Sequence, residues 1–326
     1  MKLRHFLTSA LLLFGGLNLI VWPSGDAQKA EAAHWAFDDS DETPFLWESE
    51  EFLDGELSLP EVDLDYVEAF EKIRFDAEAG EPDAQFKFGE IYQFGKWGVK
   101  VDRKRAWDLY QQASDKGYLP ATYKKGVFFY NGWVVERNYS KAVEWFQQTA
   151  NEEYAQAQNY LAICYIKGRG LEKDLSQAVK WLEKAEKQDL PKAFHNLGNF
   201  FFYGLAFQQN FQEAFKLYLK GAQQGFEGSQ YQLAKMYESG LGTKRDYSLA
   251  AEWYRKAAVQ SNAMAQYKLG ALYSQGKGVL QDKSAAWAWF NRAYLTSEVE
   301  KARIWRDKTQ RELGEEELEI ARKYFR

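Results

Sequence analysis

Apolar residues along most of this chain recur at helical rather than strand intervals. From Asp83 onward one pattern repeats: an alanine, a large apolar residue four positions later, a small residue next, an aromatic three further on, then glycine. It first reads Ala84, Phe88, Gly89, Tyr92, Gly95; then Ala121, Lys125, Gly126, Phe129, Gly132, with a lysine in the apolar slot. The later copies open at Ala157, Ala193, Ser229 and Ala265, so the starts are spaced 37 and then four times 36 residues. Phase kept over six copies is the signature of a repeat architecture.

Each copy continues alike. After the glycine comes a loop ending in Asp102, Asn138, Asp174, Asn210, Asp246 or Asp282, residue types that cap the free N–H groups of a following first turn. Gln177 and Glu213 stand three residues after their caps, the spacing of a capping box. Four residues after each cap sits an alanine (Ala106, Ala142, Ala178, Ala214, Ala250, Ala286). A large pair follows: Leu109–Tyr110, Trp145–Phe146, Trp181–Leu182, Leu217–Tyr218, Trp253–Tyr254, Trp289–Phe290. The unit is therefore helix A, a glycine-bearing loop, helix B and a short turn. Such hairpins bury their apolar faces only by stacking on one another. The predicted fold is all-α, with an opening helix over 62–80, repeats starting at 84, 121, 157, 193, 229 and 265, and charged capping helices over 299–326.

The motifs resemble those of the Sel-one-like repeat (SLR), a relative of the tetratricopeptide repeat. Leu269-Gly270-Ala271-Leu272-Tyr273 matches its helix A, Gly276-Lys277-Gly278-Val279-Leu280-Gln281-Asp282 its loop, and Ala250-Ala251-Glu252-Trp253-Tyr254-Arg255-Lys256-Ala257-Ala258 its helix B. The likeness covers about 66–326. It implies a right-handed α-solenoid that acts as an adaptor or scaffold, with helices A lining the concave side and no catalytic residue or cofactor among the motif positions. Many exported bacterial members serve the cell envelope. A cysteine-rich subfamily has been credited with β-lactamase activity, which makes a hydrolase the alternative; the single Cys164 departs from that subfamily.

The N-terminal 32 residues read as an export segment. Lys2 and Arg4 precede an apolar stretch from Phe6 to Trp22, and Gly25-Asp26-Ala27 and Ala30-Glu31-Ala32 are two candidate cleavage sites. An uncleaved anchor is the competing reading, since the stretch is near the lower limit for a membrane span. Either way the expected location is outside the cytoplasm, in the periplasm or envelope. Residues 33–61 form an acidic linker with interspersed aromatics. From His34 to Glu71 there are 14 Asp and Glu and no Lys or Arg, against 39 basic and 31 acidic residues from Lys72 onward, a net of +8. That segment is either a solvated linker or an element that docks on a basic surface.

Candidate chemistry is sparse. His34 and His195 are the only histidines beyond His5, and one cysteine supports no metal spacing. Cys164 shares a column with Ile91, Phe128, Phe200, Met236 and Leu272 and reads as a core position; His195 reads as a surface contact. Gly168-Arg169-Gly170 and Gly276-Lys277-Gly278 are hairpin turns in register rather than phosphate loops, and Asn138 within Asn138-Tyr139-Ser140 reads as a helix cap rather than a glycosylation site. Arg103-Lys104-Arg105 is a lone basic run, so no nucleic-acid stripe is present. What remains is a protein or peptide partner. At 100° per residue the third, seventh and tenth positions of helix A lie about 200° from those that pack on helix B. The expected binding residues are therefore Phe86, Tyr123, Tyr130, Asn159, Ile166, His195, Asn199, Phe202, Tyr231, Lys235, Glu238 and Tyr267, with Val127 and Ile163 in the same columns. The competing expectation is that several of them pack against the next repeat.

Overall fold

The structure is a computed structural model that describes residues 64–324, so segments 1–32 and 33–61 lie outside the described residues. The described residues form 15 α-helices and no strand. A lone helix, α1 (Leu64–Glu78), opens the array. Six hairpins follow, each of a helix A and a helix B. They are α2 (Pro82–Phe94) with α3 (Arg103–Asp115), α4 (Leu119–Asn131) with α5 (Tyr139–Asn151), α6 (Ala155–Lys167) with α7 (Leu175–Glu186), α8 (Pro191–Tyr203) with α9 (Phe211–Gln223), α10 (Glu227–Ser239) with α11 (Tyr247–Val259), and α12 (Ala263–Gln275) with α13 (Lys283–Ser297). Two helices, α14 (Glu300–Gln310) and α15 (Glu315–Lys323), close it. Each helix packs mainly on its neighbours in the chain, so the molecule is an all-α solenoid.

Local chemistry sets the boundaries. Every helix A stops at a glycine (Gly95, Gly132, Gly168, Gly204, Gly240, Gly276) with φ between 63° and 75°, a backbone conformation that costs glycine nothing. Every helix B starts at the foreseen Asp or Asn, whose side chain accepts from a first-turn N–H at 2.9–3.1 Å, as from Lys141 to Asn138 and from Ala285 to Asp282. The capping box expected at Glu213 is replaced: its carboxylate pairs with Lys216 one turn on, at 2.7 Å.

Inside a hairpin, the small residue of helix A meets the second large residue of helix B. A Cβ on Gly89, Gly126, Gly198 or Gly270 would lie 2.6–2.9 Å from a ring atom of Tyr110, Phe146, Tyr218 or Phe290. Where helix A carries Ala162 instead, the partner in the same core is the smaller Leu182, whereas Ala234 shares its core with Tyr254. Lys125, in an apolar slot, is accommodated by laying its ammonium 4.0 Å over the Trp145 ring. Cys164 is fully buried.

Between hairpins runs a polar column that the apolar pattern did not reveal. Gln85, Gln158, Gln230 and Gln266 are buried and donate to the carbonyls of Ala77, Ala150, Ala222 and Ala258 in the last turn of the preceding helix. Gln158 and Gln230 also accept from Gln188 and Gln260, which lie just past the end of the helix B of their own hairpin. Each carboxamide thus ties a helix A to the end of the preceding helix, adding a side-chain donor to a last-turn carbonyl.

At the C-terminal end α14 lies where a seventh helix A would. Ala302 is buried, and Trp305 stacks on Phe290 with centroids 6.2 Å apart.

Candidate functional site

Helices A of successive repeats touch through many side chains: Asn196 donates to Asn159 at 2.8 Å, Tyr123 and Tyr160 meet at 5.6 Å between centroids, and Lys268 reaches Glu238 at 3.1 Å. Successive helices A therefore lie side by side along one face of the array.

That closeness overturns the expected exposure of the third, seventh and tenth positions. Tyr123, Tyr130, Asn159, Ile166, His195, Asn199 and Phe202 are buried, as are Val127 and Ile163. Phe86, Tyr231, Lys235, Glu238 and Tyr267 are half-buried. The columns fill the seam between neighbouring helices A. Tyr130 shows why: its ring meets Tyr139 and Phe146 of its own hairpin and Tyr160 of the next, at 5.2–6.2 Å between centroids, and its hydroxyl accepts from Arg169. His195, expected at the surface, is buried between Tyr218 and Phe226, with Nδ1 3.4 Å from Ser229 Oγ.

The side of helix A that does open to solvent is rotated by about 70° from the expected one, at 100° per residue. It carries the residue before the first repeat position and the eleventh residue: Gln156 and Met264 are exposed, and Lys167, Lys192 and Tyr203 are half-buried.

A cleft opens on this stripe. It measures about 170 Å³ and is lined by Tyr123, Gln156, Asn159, Tyr160, Leu190, Pro191, Lys192 and Phe226. Its origin lies in a column that the repeat count passed over. The residue just before helix A is Tyr118, Tyr154, Leu190 and Phe226 at 36-residue intervals. In three places its ring packs on the third residue of the preceding helix A. Phe86 meets Tyr118 at 5.6 Å, Tyr123 meets Tyr154 at 5.3 Å, and His195 meets Phe226 at 5.1 Å. In the third repeat the same two positions are Asn159 and Leu190, neither of them a ring, and both line the cleft. Of the expected site residues the structure brings Tyr123 and Asn159 to it; Gln156, Tyr160, Leu190, Pro191, Lys192 and Phe226 went unforeseen.

Further along the helices A is a polar cluster. The Glu238 carboxylate accepts from the Tyr254 hydroxyl at 2.6 Å and from Lys268 at 3.1 and 3.3 Å. Burial, then Glu238, push the Tyr231 and Tyr254 phenols above their ordinary range. Burial and the neighbouring Lys268 lower Lys235. Glu238 is thus committed to partners within the array.

Among the described residues, no group of three or more His, Cys, Asp or Glu is arranged to hold a metal ion. No helix among them is long and apolar enough to cross a membrane.

Comparison with known proteins agrees with this architecture. The model of the Sel1 repeat matches six consecutive segments, 82–118, 119–154, 155–190, 191–226, 228–262 and 263–295. A protective antigen of uropathogenic Escherichia coli with an SLR fold is 33% identical, with a TM-score of 0.54 over 69% of this chain and 48% of that one. The chain therefore spans about half of that antigen's length. A Sel1 repeat protein from Oxalobacter formigenes is 26% identical, with a TM-score of 0.63 over 72% of this chain and 98% of that one. An immunity protein of Pseudomonas aeruginosa shares the fold at 20% identity and a TM-score of 0.50, over 67% of this chain and 82% of that one. No curated protein matches.

Proposed function

The chain belongs to the Sel1 repeat family, whose members are generally protein-interaction scaffolds, and on that premise we propose a non-enzymatic scaffold of the bacterial cell envelope that receives a segment of a protein partner on its inner face. The observation that carries the reading is the missing ring pair at Asn159 and Leu190. It leaves about 170 Å³ of mostly apolar space between two places where the pair is complete. An apolar cavity of roughly 150 Å³ holds a benzene molecule, so the cleft suits one aromatic or large aliphatic side chain of a partner. Such a side chain, seated in a pocket and shielded from water, is the usual form of a binding hot spot. Gln156 and Lys192 at the rim supply polar groups that orient the rest of the segment. The envelope location rests on the N-terminal basic residues Lys2 and Arg4 and the apolar stretch that follows them, whether cleaved or kept as a tether.

The test starts from a partner recovered from envelope extracts with the wild-type chain. Leu190→Phe restores the ring that stands at 118, 154 and 226. It should lower affinity at least tenfold while leaving thermal unfolding unchanged or raised. Unchanged affinity for Leu190→Phe, together with loss of binding on substitution of outward residues of helices B, would refute the inner-face site.

A further inference from the structure

We propose that the acidic segment preceding α1, residues 34–63, docks in cis on the basic edge formed by the first A–B loop and the start of α3. Between Lys96 and Asp108 this edge carries Lys96, Lys100, Arg103, Lys104 and Arg105 against Asp102 and Asp108, a net of +3. All five cations are exposed, and Val101 among them is 51% exposed. Four are engaged within the array: Lys96 lies 3.9 Å from Glu90, Lys104 pairs with Asp108, Arg105 with Asp102, and Arg103 lies 4.6 Å over the Trp133 ring. The charge of the edge nevertheless stays positive.

The first loop also packs on the preceding helix differently from three of the later loops: Trp97 and Val99 lie against Phe70 and Ile73 of α1, while its second glycine stands clear. In the third, fifth and sixth repeats the second loop glycine (Gly170, Gly242, Gly278) sits hard against the backbone that starts the preceding helix B, at Tyr139, Phe211 and Tyr247. The same step of 31 residues back from Gly98 leads to Val67 in α1. There the pattern breaks: a Cβ on Gly98 would meet nothing within 4 Å, and Val67 is 44% exposed.

The position of α1 points to the occupant. Its Phe70, in the second turn, packs edge-on against Trp97 of the loop, with centroids 6.1 Å apart, so the N-terminal half of α1 lies against this loop. The chain that enters there is residues 34–63, with 11 Asp and Glu, no Lys or Arg, and the rings of Trp35, Phe37, Phe45, Trp47 and Phe52. A tether of a few residues gives an effective concentration of order millimolar, enough for a contact that would be weak between separate molecules. Screening at high salt should release it, because opposed exposed charges supply the attraction.

Zero-length carbodiimide coupling of the full-length chain, with cross-links mapped by mass spectrometry, tests this. Coupling of Lys268 to Glu238 serves as the internal control, since the two form an ion pair within the array at 3.1 Å. At low ionic strength most cross-links from carboxylates of residues 38–63 should fall on Lys96, Lys100 and Lys104. Their yield should fall at least fivefold in 1 M salt, which shrinks the Debye length to about 3 Å, and should not change on tenfold dilution. As a second measurement, a full-length variant with Glu48, Glu50, Glu51, Asp54 and Glu56 replaced by their amides should show faster hydrogen exchange at 96–105 and nowhere else in the array. Cross-links spread evenly over lysines of other repeats, a yield that falls with dilution, or no cross-link while the control pair couples would each overturn the proposal. Lys100-dependent binding to phosphatidylglycerol vesicles without any such cross-link would assign the edge to lipid headgroups and overturn it as well.

Discussion

Gly198 is where the packing of a hairpin can be tested most directly. A Cβ added there would lie 2.6 Å from Cε1 and 2.8 Å from Cδ1 of Tyr218. Tyr218 is fully buried, and its hydroxyl donates to Asn199 Oδ1 at 2.6 Å, so the ring cannot retreat without breaking that bond. Overpacking of this kind costs about 1–3 kcal/mol. Replacing glycine by alanine inside a helix returns about 1 kcal/mol through backbone entropy. Gly198→Ala should therefore destabilise by roughly 0–2 kcal/mol, the difference of those two ranges. Gly198→Leu should cost more. Tyr218→Leu alone removes the ring and its hydrogen bond and should cost about 2–5 kcal/mol, as large-to-small core changes do. The double variant Gly198→Ala/Tyr218→Leu installs the combination that the third repeat uses, Ala162 with Leu182. With the ring gone the clash disappears and the helix gain remains. The double variant should then be more stable than the sum of the singles by about 1–3 kcal/mol, the size of the clash. Urea unfolding followed by circular dichroism measures all four chains. Additivity within about 0.5 kcal/mol, the tolerance expected of independent sites, would refute the pairing of small and large residues across the hairpin.

Other expectations follow from single contacts. Asn138→Ala removes the side chain that caps α5 at Lys141 and should lower stability by about 1 kcal/mol in the same assay. Gln230→Leu removes one donor to the Ala222 carbonyl and one acceptor of the Gln260 carboxamide, both of which keep other partners, and should cost about 0.5–1.5 kcal/mol, seen as a lower unfolding midpoint. Burial, then the hydrogen bond to Asp83, push the Tyr118 phenol up to about 12, so a phenolate titration near that pH should be absent from Tyr118→Phe. The folded chain holds this proton more tightly than the unfolded one does. Its stabilisation is thus complete below the ordinary tyrosine pKa of about 10 and is lost as pH rises through the folded value, so Tyr118→Phe should flatten the alkaline loss of stability.

The helices, their order and their ends could be read from the chain because they depend on neighbours a few residues away. The caps at Asn138 and Asp282, the stop at Gly168 and the burial of Cys164 each follow from a residue type at a fixed place in a 36-residue frame. Even the contact of Gly198 with Tyr218 joins two helices of one hairpin, separated by a loop of seven residues, 204–210.

What the chain did not disclose is how one hairpin sits on the next. The periodicity of a single helix A separates the side that faces helix B from the side that does not. It cannot say how much of that second side the neighbouring helix A covers. That depends on the rotation between successive repeats, a small quantity that accumulates along a solenoid and is set by the fit of side chains 30–40 residues apart. Tyr130 and His195 look like surface aromatics in sequence and are core residues in the structure, because the seam between helices A closes over them. The Gln85, Gln158, Gln230 and Gln266 column looks polar and exposed by type, yet it is buried where the stacked repeats bring it against helix-end carbonyls of the preceding repeat, to which each adds a side-chain donor. The cleft is the clearest case. Asn159 and Leu190 stand 31 residues apart and are unremarkable singly. Only when the third repeat is stacked between its neighbours does the missing pair of rings become a space, since a gap is a property of the surfaces that fail to meet rather than of either residue.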